Sequence, residues 1–400
     1  MKNKVIKLLG FLVGLLTLLV LAAPFSTLTV SASSTINVPG DYSTIHEAVA
    51  AANPGDNIEV TGTYNELVYI GTNGITLRGE GAILDGTGLS FHGLMTIWTF
   101  VHGVTIEGFE IRNLSYGDHG GNGIWLRQNS YGNTIRDNVI HDVNGAGVLL
   151  GANSSGNLVT GNYVYNAENG IGVNTSYDNE IVSNKTEATN HGIFLSGGSS
   201  GNIICGNEDI NCLSDGIQIW DSVENKISDN QIQGSIGNGI ILLNAEGNKI
   251  DGNMISNSGA CGIGVNRSTG NDIKGNVITG STDHAILLNV DSNNNKVEKN
   301  TISDNGKAGI QVLDANINQI MNNEIANCLD GIRVLGSANN NKVAGNIVEG
   351  STRYGILAAD ITENNIFKKN EVSGSLSSDL FEDGSADNIW KNNEYDTSNL

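Results

Sequence analysis

Residues 216–232 read Gly-Ile-Gln-Ile-Trp-Asp-Ser-Val-Glu-Asn-Lys-Ile-Ser-Asp-Asn-Gln-Ile, and this stretch decides the fold. Ile217 and Ile219 stand two apart, so in an extended chain both side chains point to one face. Ile227 and Ile232 add two more apolar side chains, each two residues after an asparagine (Asn225 and Asn230). The pattern then recurs. Its leading glycine falls at 123, 147, 170, 192, 216, 239, 262, 309, 331 and 355, with Ala285 in the one gap. The first asparagine falls at 133, 157, 179, 202, 225, 248, 271, 295, 318 and 341, and a second follows five residues later each time. Units of 22 to 24 residues leave no room for a helix plus strands, so each holds three short strands separated by turns. One unit cannot bury its own apolar face, whereas stacked units share a continuous core. Strands of neighbouring units then pair in parallel, about 4.8 Å apart. Asparagines at the turns can bond the asparagines above and below. Glycine marks positions of positive φ or close backbone approach. Proline would remove a ladder donor, and none occurs after Pro54.

Composition excludes the competing classes. The 400 residues include 52 glycines, 56 asparagines and only 3 prolines. Collagen needs a Gly-X-Y period and abundant proline, so it is ruled out. Recurrent apolar residues, 39 % of the chain, speak against disorder. A net charge of −21 disfavours sustained nucleic-acid binding. No second long apolar run exists for a multi-pass membrane protein.

The ends differ from the middle. Residues 1–32 read as a secretory signal peptide: Lys2, Lys4 and Lys7, an apolar run from Leu8 to Phe25, then Val30-Ser31-Ala32 for cleavage. Its removal leaves 18 basic and 42 acidic residues, net −24, in a protein secreted or held at the cell surface without stable membrane insertion. Residues 33–400 form one domain. A cap is expected over 33–57, where Ile45, Val49 and Ala52 sit at helical spacing behind a Thr44/Glu47 capping box. Less regular rungs follow over 58–121, regular rungs over 122–364, and a C-terminal cap that loses the spacing over 365–400. Cys205, Cys212, Cys261 and Cys328 show no metal-ligand pairing, and no essential disulfide is expected.

The repeat resembles that of the right-handed parallel β-helix family, the pectate-lyase-like and NosD-like solenoids, over roughly residues 36–395. The resemblance implies an all-β single right-handed parallel β-helix with an asparagine ladder between the second and third strands. It also implies that the Gly-Ile-x-Leu strand and the turn before it line a polysaccharide-binding groove. The residue preceding the glycine then forms a column: His92, Asn122, Ala146, Asn169, His191, Asp215, Asn238, Cys261, His284, Ala308, Asp330 and Tyr354. His191 and Asp215 occupy adjacent rungs, about 5 Å apart, so the carboxylate can orient the imidazole. Lys185 and Glu187 lie just upstream. Together these four make a candidate general acid/base set. Phe194, Gln218 and Trp220 offer a sugar platform beside them, with Asn169 and Asn238 on flanking rungs. Asp221 and Glu224, just downstream, are the candidate ligands for a Ca²⁺ ion. The plainer reading is that these are solvated turn residues.

A second candidate is the insertion before Gly123, with Tyr116, Asp118 and His119, followed by Trp125 and Arg127. Its composition resembles the Tyr-Gly…Asp…His loop of mannuronan C5-epimerases. It lacks the proline of their Asp-Pro-His core, and Ala146 stands where an acid would follow. A third set, His284, Asp330, Arg333 and Tyr354, spans too many rungs for one sugar. The resemblance points to an extracellular polysaccharide as partner and to a lyase or C5-epimerase acting on a uronate. The alternatives are a glycoside hydrolase or glycosyl transferase, using Asp215 with Glu187 or Glu224, and a non-catalytic carbohydrate-binding or accessory solenoid.

Overall fold

Strands fall where the repeat places them. The computed structural model describes residues 33–117, 120–384 and 387–400; the signal segment expected over 1–32 lies outside these. Each regular rung contributes one strand to each of three parallel sheets. Ile217 of the Gly-Ile strand pairs with Ile240 one rung on, Ile227 of the second strand with Ile250, and Ile232 of the third with Ile255. The second sheet is the cleanest, a 16-stranded parallel ladder from Thr35–Val38 to Ile389–Lys391. The first and third sheets are joined through two 12-residue strands, Val139–Leu150 and Tyr163–Asn174, which turn the corner without a break. Inward isoleucines, leucines and valines fill the middle at 0–2 % exposure, as with Ile193, Ile217, Ile227, Ile240 and Ile250. Each such side chain contributes about 1.5–3 kcal/mol of burial.

The leading glycine has a packing reason. Gly216 does not lie in the left-handed region; an added Cβ would sit 2.4 Å from Ile232 Cγ2 and 2.7 Å from the Gly239 carbonyl oxygen. A branched side chain of the third strand therefore tucks directly beneath the glycine, and the same contact recurs at Gly239 with Ile255 and at Gly262 with Ile278. The corners use the other property of the residue: Gly252 turns at φ +67°, and Asp229 takes φ 56° one rung earlier.

Two asparagine ladders run along the coil, from Asn133 to Asn388 and from Asn138 to Asn393, one on each side of the second strand, rather than the one that the resemblance implies. In the first, Asn202 donates its backbone N–H (3.0 Å) and its side-chain amide (2.9 Å) to Asn225 Oδ1. In the second, Asn207 does the same to Asn230 Oδ1. Asn365 passes both bonds on to Asn388, and Asn370 to Asn393. The C-terminal rungs thus keep the five-residue offset that the sequence reading had them lose. What they lose is the glycine. Asp379 stands in its place, and its carboxylate accepts N–H bonds from Ser375, Asp396 and Thr397.

At the other end a helix, α1 (Ile45–Ala51), closes the solenoid with Ile45, Ala48 and Val49 buried. Thr44 Oγ1 accepts the Glu47 N–H as expected, but the Glu47 carboxylate takes the Ser43 hydroxyl. The first N–H groups of α1 are held from outside, by Glu66, at 2.9 and 3.0 Å. Among the described residues no helix is long and apolar enough to cross a membrane, and all four cysteines are free thiols.

Candidate functional site

The column preceding the glycines is itself a ladder. Asn122 Oδ1 accepts the Ala146 N–H, Asp215 Oδ1 the Asn238 N–H, Asn238 Oδ1 the Cys261 N–H, His284 Nδ1 the Ala308 N–H and Asp330 Oδ1 the Tyr354 N–H. A side-chain acceptor on one rung thus satisfies the next rung's donor. The ladder lapses wherever the column holds an alanine, at Ala146 and Ala308; between Asn169 and Asp215 it lapses although acceptors are present. Asn169 Oδ1 and His191 Nδ1 are both buried without a hydrogen-bond partner. Such groups are rare enough in folded proteins to need a reason.

His191 sits at that interruption. Its Nδ1 lies 3.6 Å from Asp215 Oδ2, and both side chains are largely covered. Asp215 is locked in place, because its Oδ1 accepts from both the backbone (2.8 Å) and the side-chain amide (2.9 Å) of Asn238. With Nδ1 turned to Asp215, Nε2 is the ring nitrogen left for a ligand. Burial lowers the pKa of His191, while the negative charges of Asp215 and Glu168 oppose that shift. Glu168, one rung before, was missed in the sequence because it stands two residues ahead of its glycine rather than one.

Aromatic area lies beside the imidazole. The Phe194 ring stacks on His191 with centroids 5.6 Å apart and meets Trp220, 46 % exposed, at 6.4 Å. Gln218 is the outward residue after Phe194, and its Oε1 is buried without a partner. A hollow of about 200 Å³ runs from Phe194 past Glu168 and Asn169 to Ala146 and Asn122, over the bare backbone of Gly172. It links this centre to the rungs of Trp125 and Tyr116. There the Tyr116 ring meets His92 at 4.2 Å, and Trp125 meets the same imidazole at 5.6 Å. The loop of Tyr116 is tied down by Asn144, whose Oδ1 accepts the Tyr116 and Gly121 N–H groups. Asp118 and His119 lie outside the described residues.

Lys185 and Glu187 are not brought to His191. Strand alternation turns both outward on the third sheet, around the corner from the groove, and there they pair with each other at 3.3 Å. Glu187 also accepts the Tyr163 hydroxyl at 2.7 Å, which holds its own pKa down and raises that of Tyr163 to about 12. They end a polar network the sequence reading did not anticipate. In it Arg112 joins Asp85 to Glu110, and His141 lies between Glu110 and Asp142 while stacking on Tyr165. Asp221 and Glu224 are exposed turn residues at φ 47° and 55°. Among the described residues no group of three or more His, Cys, Asp or Glu side chains could hold a metal ion. In the third set, Asp330 is fully buried against Arg333 and Arg353, and His284 turns instead to Asp283 at 3.3 Å.

One further residue was missed. Asp209 points into the core, in the column that holds Ile140, Val164, Ile232 and Ile255 on other rungs. Its carboxylate accepts the Thr186 hydroxyl and lies beneath Gly192, where an added Cβ would be 2.4 Å from Oδ1. Burial raises its pKa to about 7. The signal was in the sequence, as Asn207-Glu208-Asp209 where the repeat has Asn-x-Ile.

Residues 47–225 and 215–372 match the family model described as right handed beta helix region. No curated protein matches the chain. Among solved structures, it is similar to the catalytic unit of a thermostable α-1,3-glucanase from Streptomyces thermodiastaticus (13 % identity, TM-score 0.52, covering 92 % of this chain and 70 % of that one). It is also similar to the Dettilon tailspike protein (13 %, 0.55, 85 % and 66 %) and the siphovirus 9NA tailspike receptor binding domain (11 %, 0.53, 90 % and 75 %). At these identities the likeness is one of fold.

Proposed function

The chain belongs to the right-handed β-helix family, and from that footing we propose that it is a secreted polysaccharide-active protein. In this reading a glycan chain lies along the first sheet and His191 serves as its acid–base centre. The observation that carries it is the interrupted ladder: His191 Nδ1 and Asn169 Oδ1 buried without partners, between two carboxylates and beside Phe194 and Trp220. The fold is one on which an α-1,3-glucanase is built, so the architecture admits a polysaccharide, while the site must define the chemistry.

The chemistry proposed is removal of the proton beside the carboxylate of a uronate, as in a lyase or a C5-epimerase. A histidine with a lowered pKa is neutral at pH 7 and can accept that proton at Nε2. Asp215, held by Asn238, orients the ring and stabilises the imidazolium that forms. Glu168, whose charge acts on His191, is the group we assign to return a proton. The amides of Asn169 and Gln218 supply donors for the substrate carboxylate. Trp220 and Phe194 give flat apolar area to a sugar ring. No step is routed through a metal ion.

The test is incubation of the mature protein with polyuronates and neutral glycans, with and without Ca²⁺. Ultraviolet absorbance from unsaturated ends reports a lyase, and proton NMR of the polymer reports epimerisation. His191→Ala should lower the rate by about 10²–10⁴-fold. The acid limb of the wild-type rate profile should lie below the ordinary histidine value of 6.5, since the neutral base is lost only as pH falls through the lowered pKa. New reducing ends without unsaturation point to hydrolysis and overturn the assigned chemistry. Glycan binding with no turnover leaves the accessory reading, which the regularity of the rungs favours.

A further inference from the structure

A second aromatic surface lies at the N-terminal end of the same face, away from His191. Tyr69, Phe91 and Trp98, with Gly71, line a hollow of about 330 Å³. The walls are fixed by edge-to-face contacts: Tyr69 meets Phe91 at 5.6 Å, Trp98 at 6.0 Å and the α1 residue His46 at 6.0 Å. Trp98 is nevertheless 43 % exposed. Rings held in place by one another and still open on one face are preorganised for a flat ligand.

Beside them stands an unusual cation. Arg78, Arg112, Arg136, Arg333 and Arg353 each pair with an aspartate or glutamate. Arg127 does not. Its guanidinium lies 4.3 Å from the Trp98 ring centroid and 5.0 Å from that of Trp125. Its Nε is buried without a hydrogen-bond partner. Among the described residues no carboxylate is within ion-pair distance of it, in a chain with 42 acids to 21 bases. A guanidinium partly desolvated between two indoles, with its donor fork unmatched, suits a planar carboxylate brought by a ligand.

We propose that this end of the groove is an acidic-sugar subsite: Tyr69, Phe91 and Trp98 hold one ring of a glycan, and Arg127 takes its carboxylate. The inference rests on the reading of this face as a glycan groove and adds where the chain is anchored and by which charge. Trp125 and Phe194 occupy equivalent positions three rungs apart, a separation of ~14 Å at about 4.8 Å per rung. A ligand of a few sugars anchored at Arg127 therefore reaches His191. The arginine also answers an electrostatic difficulty, since a strongly acidic protein repels an acidic polymer except where a cation is left unpaired.

Titration calorimetry and tryptophan fluorescence would be run on the mature chain with oligogalacturonate, oligomannuronate and a size-matched neutral cello-oligosaccharide. The variants are Arg127→Gln, Trp98→Ala and Trp220→Ala, each checked for an unchanged far-ultraviolet spectrum. Acidic oligosaccharides should bind, and Arg127→Gln should weaken them by roughly 10- to 100-fold, the worth of a charge-assisted pair. Trp98→Ala should also weaken binding, and added salt should weaken the wild type more than Arg127→Gln. If glycans bind with a dependence on Trp220 but none on Arg127 or Trp98, the subsite is overturned and the groove stands. Preference for the neutral oligosaccharide overturns the acidic assignment. If no oligosaccharide binds, the groove and the subsite fall together.

Discussion

Asp209→Asn tests how much stability the buried carboxyl costs. Asp209 is fully buried, one oxygen accepts the Thr186 hydroxyl, and the other has no partner. Burial lifts its pKa from 3.8 to about 7, against the Thr186 bond that lowers it, with Glu208 adding a neighbouring negative charge. That rise corresponds to ~4 kcal/mol of preference for the neutral form. Folded and unfolded chains are equally protonated below pH 4, so nothing is lost there. Between pH 4 and 7 the unfolded chain releases a proton that the folded chain keeps, and stability falls as pH rises. Above pH 7 both are ionised and the whole ~4 kcal/mol is missing. Asparagine matches aspartate in shape and does not titrate. Urea unfolding of both proteins from pH 4 to 8 should therefore show the Asp209→Asn advantage growing by about 4 kcal/mol across that window. The comparison removes the general effect of the protein's negative charge, which both chains share. Asp209→Ile together with Thr186→Val should do the same, since it restores the aliphatic column. Parallel stability curves for wild type and Asp209→Asn would refute the reasoning.

Two further substitutions probe the repeat itself. Asn225→Ala takes the acceptor from the Asn202 N–H and side-chain amide and the donor from the Ser199 carbonyl; with buried groups left unsatisfied at about 1–3 kcal/mol each, a loss of ~3 kcal/mol by urea denaturation is expected. Gly216→Ala drives a methyl into Ile232 Cγ2 and the Gly239 carbonyl, which should cost about 1–3 kcal/mol by overpacking. In a double-mutant cycle the Gly216→Ala penalty should shrink when Ile232 is already alanine, because the new methyl then has room, although Ile232→Ala carries its own cost of about 2–5 kcal/mol.

The fold was legible because a solenoid repeats its constraints. Ile217 and Ile219, Asn225 and Asn230 declare the alternation and the turns, and each rung restates them. The second ladder and the glycine contacts were less legible for a shared reason. Both depend on which side chain of one strand meets which backbone atom of another, as when Ile232 lies beneath Gly216, and spacing does not say that. The site was legible in part. His191, Asp215, Phe194 and Trp220 do gather, since residues at one position of successive rungs must be neighbours. Lys185 and Glu187 do not, because nearness in sequence crosses a corner and the next sheet faces another way. The aromatic cluster of Tyr69, Phe91 and Trp98 was missed because its members come from rungs where the repeat is too irregular to align by eye.

The departures from the repeat coincide in space. On the inner face, Thr186 lies beneath Gly170 and Asp209 beneath Gly192, where other rungs place an aliphatic side chain. On the outer face, the residues that precede those same two glycines are Asn169 and His191, where the ladder at the groove mouth is interrupted. A sequence shaped by stacking alone has every local choice agreeing with the fold. Here the places of Gly170 and Gly192 break the rule twice over, through third-sheet residues packed beneath them and through the column residues before them, at a stability cost of ~4 kcal/mol above neutral pH for Asp209 alone. Local rules broken together at one place are what a functional site looks like in an otherwise consistent structure. The inner polar pair is thus an independent reason to look for chemistry at His191, and it comes from the core rather than from the groove.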